Sequence, residues 1–199
     1  WLGVNHSGVL VGIVNRRSES IPAGVEFKSR GLLCLQLLQA RHSGEAMDIV
    51  QREKATDYRP FNLLFADSAN AFVVFNTEHE IQCVNLSSGL HVLGNASVYD
   101  SPMGKASHAQ DMFTNSIDEI DEGDRSTFVR VFQRILGNHQ PQGQRGGRDA
   151  ICVHAEGYGT VSSTIVLYRK DEQRFYYYHT GGAPCRSEYQ ELSPITVLS

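Results

Sequence analysis

The chain has 199 residues, of which 41% are hydrophobic and 20% charged, ordinary proportions for one domain that buries a core. A formal net charge of −4 gives no electrostatic reason to expect nucleic acid or an anionic membrane surface as partner. No apolar run reaches the roughly 18 residues of a membrane-spanning helix and no signal-peptide pattern opens the chain. Four widely spaced cysteines without a C-x-x-C pair fit a reducing, cytoplasmic setting, which is expected.

Two apolar runs, Trp1–Val4 and Val9–Val14, flank His6-Ser7-Gly8 and read as a hairpin. Both faces of the second run are apolar, which predicts a strand covered on both sides. The chain opens in mid-strand at Trp1 with no Met, and from this we expect that sequence upstream is missing. Arg16-Arg17, followed by Glu19, reads as a solvated turn within a loop over residues 16–27. A helix is expected from Ser29 as N-cap, and a second restarts at Ser43-Gly44-Glu45 with Ala46, Ile49 and Val50 on one side. Four runs follow, Phe61–Ala66, Ala71–Phe75, Ile81–Leu86 and Leu90–Leu93, at about ten-residue spacing with turn chemistry between them. They predict an antiparallel meander.

Helices are expected over about 104–119 and 124–137, the second carrying a stripe of Phe128, Val131, Phe132 and Ile135. Residues 138–150 are polar and Gly-rich, which predicts a flexible surface loop inside a single domain spanning 1–199. The last expected strands are Ile151–Ala155, Val161–Arg169 and Phe175–His179. Tyr176-Tyr177-Tyr178 alternates buried and exposed rings in the last of them. This order predicts an α+β fold of mostly antiparallel, stacked sheets covered by helices.

The chain lacks a G-x-S-x-G elbow, a P-loop, an H-E-x-x-H helix and a Rossmann fingerprint. Asn15, Asn62 and Asn95 instead sit at the ends of apolar runs. A carboxamide there either presents a donor to an oxyanion or satisfies turn backbone. Cys34, Cys83 and Cys152 lie in apolar runs and read as small core residues, with Cys185 the more exposed. No C-x-x-C pair exists and none of the eight histidines has the spacing of a ligand set, so no metal and no cofactor are expected.

Taken together, the motifs resemble the NRDE family, whose eukaryotic members include Transport and Golgi organisation protein 2. Trp1-Leu2-Gly3-Val4 followed by Asn15 is similar to G-T-W-L-G-V and a later T-N. Ser29-Arg30-Gly31 resembles the S-R-G helix start, and Phe61-Asn62-Leu63-Leu64-Phe65-Ala66-Asp67 the F-N-L-L-x-A-D strand. Leu93-Gly94-Asn95 resembles L-S-N, and Gly157-Tyr158-Gly159-Thr160 with Ser162-Ser163-Thr164-Ile165 resembles G-Y-G-T-R-S-N-T-I, in a form closest to bacterial members.

The resemblance implies a four-layer αββα sandwich like that of N-terminal nucleophile hydrolases. It places a pocket or oxyanion site at Asn15, Asn95, Thr160, Ser162 and Ser163. Such hydrolases use an N-terminal Cys, which in the family lies upstream of the segment where this chain starts, and Val161 stands where the family often has Arg. The chain is therefore expected to bind a small metabolite, haem or an acyl or lipid-type ligand, without catalysis. The alternative is an N-terminal cysteine amidohydrolase whose nucleophile precedes Trp1.

Overall fold

The computed structural model describes residues 1–16, 24–77, 79–95, 104–141 and 146–198. Most of the expected loop after Arg16, including Arg17 and Glu19, lies outside them. The opening hairpin forms as expected: β1 (Leu2–Val4) pairs antiparallel with β2 (Leu10–Asn15), Val4 opposite Leu10. Asn5 organises the turn. Its Oδ1 accepts from the Ser7 and Val9 N–H groups at 3.0 and 2.8 Å, while Gly8 takes the left-handed φ of 89° that a side chain would strain. Asn5 Nδ2 donates to the carbonyls of Leu38 and Ala40, tying the hairpin to the chain beyond the first helix.

β2 continues into an antiparallel meander with β3 (Phe61–Ala66), β4 (Ala71–Asn76) and β5 (Ile81–Leu86), in the order β1-β2-β3-β4-β5. Alternation puts Val11, Ile13, Phe61, Leu63, Phe65 and Val74 on one face, all buried. Two helices cover that face, α1 (Arg30–Leu37) through Leu33, Cys34 and Leu37, and α2 (Ser43–Gln51) through Ala46 and Val50. Each large side chain so buried stabilises the fold by roughly 1.5–3 kcal/mol. Ser29 caps α1 as the sequence indicates, its Oγ accepting from Leu32 N–H at 3.3 Å. The start of α2 is held from the sheet: Ser43 N–H donates to Asp67 Oδ2 at 2.7 Å.

Two expectations about this sheet are corrected. The second face of β2 is not fully covered; Leu10 and Gly12 are half-buried and Val14 is exposed. Leu90–Leu93 form no strand. The chain leaves β5 through Gly89, at φ 141°, and is anchored by a side chain instead of a ladder, Asn62 Nδ2 donating to Gly94 O at 2.9 Å. Among the described residues no strand pairs with the outer edge of β5, and Cys83 on it is exposed where a core position was expected, whereas Cys34 and Cys152 are buried.

The second half follows the same logic with α3 (Lys105–Asn115), α4 (Arg125–Leu136), the short hairpin β6 (His154–Ala155) and β7 (Tyr158–Gly159), and the sheet β10-β9-β8. Its strands are β8 (Ser163–Arg169), β9 (Arg174–Thr180) and β10 (Gln190–Thr196), all antiparallel. α4 opens at Asp124, whose carboxylate accepts from Ser126 N–H at 2.9 Å. It lays Val129, Phe132 and Leu136 against Ile165, Tyr176 and Tyr178. Tyr177 points the other way, as expected of that strand, but it is half-buried where an exposed ring was expected. α3 packs on α4, with Phe113 and Phe132 edge to face at 4.8 Å.

The segment 138–150 is not irregular throughout, since Gly146–Asp149 form a 3-10 turn and Ala150 is buried. The strand expected over 151–155 shrinks to His154–Ala155, and β10 has no counterpart in the sequence reading. The architecture is thus α+β with antiparallel sheets, the five-stranded and the three-stranded one each carrying helices on one face. Among the described residues no helix is long and apolar enough to cross a membrane.

Candidate functional site

β2 ends at Asn15, opposite Phe61 and on the helix-covered face. There it joins a cleft of about 410 Å³ lined chiefly by Trp1, Asn15, Phe27, Lys28, Arg30 and Arg59. The three cations are not equivalent. Lys28 is engaged by Asp57 at 2.8 Å and Glu53 at 3.0 Å, contacts that raise its pKa. Arg30 donates one N–H to Pro60 O at 2.9 Å. Burial first, and the like charge of Arg59 second, push its pKa below the ordinary arginine value. Arg59 lies over the Phe27 ring at 5.7 Å. Two guanidinium groups that repel each other beside a carboxamide donor favour an anion, which would relieve the repulsion and accept from both.

The other residues singled out in the sequence lie elsewhere. Val14 faces Asn62 across the ladder, so Asn62 projects from the face opposite Asn15, and it is Asn62 that holds Gly94 next to Asn95. Thr160 Oγ1 accepts from Val153 N–H at 3.0 Å beside the β6–β7 hairpin. Ser163 Oγ accepts from Tyr189 O–H at 2.6 Å on β8, and Ser162 is exposed. Tyr189 in turn lines a wider cleft of about 670 Å³ over the start of α4, with Arg125, Tyr178 and Glu191. There Arg125 stacks 3.7 Å over the Tyr176 ring and pairs with Glu191 at 3.0 Å.

A third place was not legible from spacing. His139 beyond α4, Cys152 and His154 at the entry to β6, and Cys185 in the turn after β9 bring one ligand atom each to within 4.8 Å of one another. Cys152 lies in the bend that leads into β6 and His154 opens that strand, and their ligand atoms converge. Cys152 Sγ lies 3.7 Å from both Cys185 Sγ and His154 Nε2, and His154 Nε2 lies 3.2 Å from Cys185 Sγ. Burial and then the Cys185 thiol push Cys152 up, while burial and then Arg186 and His139 push His154 down.

A family model described as Transport and Golgi organisation 2 matches residues 1–180. The chain belongs to that family. The Transport and Golgi organization protein 2 homolog of Bos taurus is 24% identical over 192 residues, covering 86% of this chain and 68% of its own length. The Homo sapiens homolog is 22% identical with the same coverage.

The segments that resemble the Transport and Golgi organisation 2 family have physical roles in this fold. A Cβ on Gly3 would meet Leu38 Cδ1 at 2.7 Å, so glycine there lets β1 and the end of α1 approach. A Cβ on Gly31 would lie 2.9 Å from the Trp1 ring. Ser29-Arg30-Gly31 therefore caps α1, supplies a cation to the cleft and leaves room for Trp1. Asp67, which closes Phe61–Ala66, holds its own turn by accepting from Ala69 and Asn70 N–H groups at 2.8 and 2.9 Å. Arg30 and Arg59 were missed as site residues. The signal for Arg30 was its place inside a recognised helix-start motif; Arg59 had none.

Proposed function

We propose that this member of the Transport and Golgi organisation 2 family binds a small anionic metabolite, haem or an acyl thioester, in the Asn15 cleft and does not turn it over. The observation that carries this reading is the pair of arginines, Arg30 and Arg59, beside Asn15 in a cleft of about 410 Å³. That volume lies within the range of small-molecule sites, about 300–1,000 Å³. Haem carries carboxylates and an acyl carrier carries phosphates, either of which accepts from a guanidinium in a bidentate manner. Trp1, Val25 and Phe27 supply apolar wall for the rest of the ligand.

The scaffold reads as the αββα sandwich that the resemblance implies, supported by the helix-covered face on each sheet. A cytoplasmic, reducing setting is part of the proposal and agrees with four free cysteines. Asn15 is the site residue we keep for this cleft. Asn95, Thr160, Ser162 and Ser163 are assigned by resemblance alone.

Trp1 is the sole tryptophan and lines the cleft, so its fluorescence reports occupancy directly. Titration with haem or a long-chain acyl thioester is expected to change Trp1 emission saturably. Arg59→Gln should weaken the response about tenfold or more, the loss of one charge-assisted hydrogen bond. No saturable change with either ligand, or an unaltered affinity in Arg59→Gln, would refute the reading. Release of free acid from an acylated amide, by a chain extended upstream with an N-terminal Cys, would favour the amidohydrolase in its place.

A further inference from the structure

We propose that His139, Cys152, His154 and Cys185 form a tetrahedral site for a thiophilic divalent transition metal ion, zinc above all others. The donor set is two thiols and two imidazoles, with no carboxylate. Two sulfurs and two nitrogens in tetrahedral array select zinc, whereas magnesium and calcium require oxygen ligands.

The spacing agrees with the ion's size. Zinc–sulfur bonds of about 2.3 Å and zinc–nitrogen bonds of about 2.0–2.1 Å give tetrahedral edges of about 3.8 Å between sulfurs and about 3.5 Å from sulfur to nitrogen. The observed Sγ–Sγ separation is 3.7 Å, and His154 Nε2 lies 3.7 and 3.2 Å from the two sulfurs. The His139 ring lies 5.0 Å from the His154 ring, centre to centre and tilted by 40°, so a small ring movement completes the set.

The surroundings are built as metal sites usually are. His139 Nδ1 lies 3.2 Å from Cys152 O, a contact that fixes the proton on Nδ1 and leaves Nε2 as the ligand atom. The same backbone is held by Cys152 N–H donating to Asn138 O at 2.8 Å. Thr160 Oγ1 accepts from Val153 N–H, which leaves its own hydrogen for the Cys152 sulfur. The Cys185 backbone packs against Gly137 at the end of α4. Arg186 opposes a cation near His154, and the two thiolates offset it. The ion would cross-link three segments distant in sequence: the exit of α4, the β6–β7 hairpin and the turn after β9. Four protein ligands leave no open position, so the role is structural.

The test uses the full chain, reduced and stripped with a chelator, then titrated with Co(II). One equivalent is expected to give the visible bands of tetrahedral cobalt and a thiolate charge-transfer band, both abolished by added Zn(II). Zn(II) should also raise the thermal midpoint of the protein. Cys185→Ser and His154→Gln should each lower affinity by more than the roughly 10–100-fold that a lost outer-shell partner costs, with unchanged circular dichroism. Cys83→Ser, on the exposed edge of β5, should leave binding intact. The absence of tetrahedral bands, or equal binding by Cys185→Ser, would overturn the proposal. So would rapid thiol trapping in cells that finds Cys152 and Cys185 joined as a disulfide, since the pair would then be a redox couple.

Discussion

Asp67 offers a stability test in which one carboxylate connects the sheet to a helix. Its Oδ1 accepts from Ala69 and Asn70 N–H groups and its Oδ2 accepts from Ser43 N–H at the start of α2. Burial alone would raise its pKa, but the hydrogen bonds from Ser43 and from the turn outweigh it and hold the carboxyl at about 2, against an ordinary 3.8. At face value that difference corresponds to a little over 2 kcal/mol. The side chain is only part-buried, and screening leaves about 1 kcal/mol of pH-dependent stability. The unfolded chain protonates near pH 3.8 and the folded one near 2, so the contribution is complete above about pH 5 and is lost as pH falls through about 2.

Asp67→Ala removes all three hydrogen bonds, including the one from the first N–H of α2, and should cost about 2–3 kcal/mol at pH 7. For a chain of this length that lowers the melting temperature by roughly 4–12 °C. Asp67→Asn keeps an acceptor for the turn and should cost about 1 kcal/mol. Urea unfolding of wild type and Asp67→Asn at several pH values checks the origin of the effect. The gap between them should shrink steadily between about pH 4 and pH 2. A gap that stays constant across that range would refute the assignment of stability to the ionised carboxylate.

Further expectations follow from single contacts. Leu33→Ala empties a buried position between α1 and the first sheet and should cost about 2–5 kcal/mol, read as a lower urea midpoint with an unchanged slope. Asn62→Ala frees the Gly94 carbonyl from β3, and limited proteolysis should then cut faster between Ser87 and Gly94. Gly157 joins β6 to β7 at φ 64° with open space around it, so Gly157→Ala meets backbone strain but no clash. It should cost about 1 kcal/mol in a thermal melt.

Chain-local chemistry was readable from the residues alone. Ser29 as a cap, the stripe on α4, the turn at His6-Ser7-Gly8 and the apolar runs of β2 to β5 all depend on neighbours a few positions away, and all form where the residues indicate. β10 was hidden because Gln190–Thr196 is an exposed edge with no apolar alternation and a register shift between Leu192 and Ile195, beside Pro194, which cannot donate to the ladder. Leu90–Leu93 looked like a strand because an apolar run does not reveal whether a partner edge is offered to it. Cys83 sat in a similar run, yet residues 82–85 are exposed on both faces of this last strand, Cys83 among them although it pairs with buried Val74.

The cleft and the metal cluster belong to the tertiary structure. Cys152 and His154 are two residues apart, a pairing visible in the sequence once thiol and imidazole are considered together. His139 and Cys185, 13 and 33 residues from Cys152, reach it only because the end of α4 and the turn after β9 fold onto the same hairpin. Arg59 meets Arg30 for the same kind of reason, at the open end of the first sheet. Sequence determined the elements, since their periodicity and caps are local; burial of their apolar faces decided which distant polar side chains share a site.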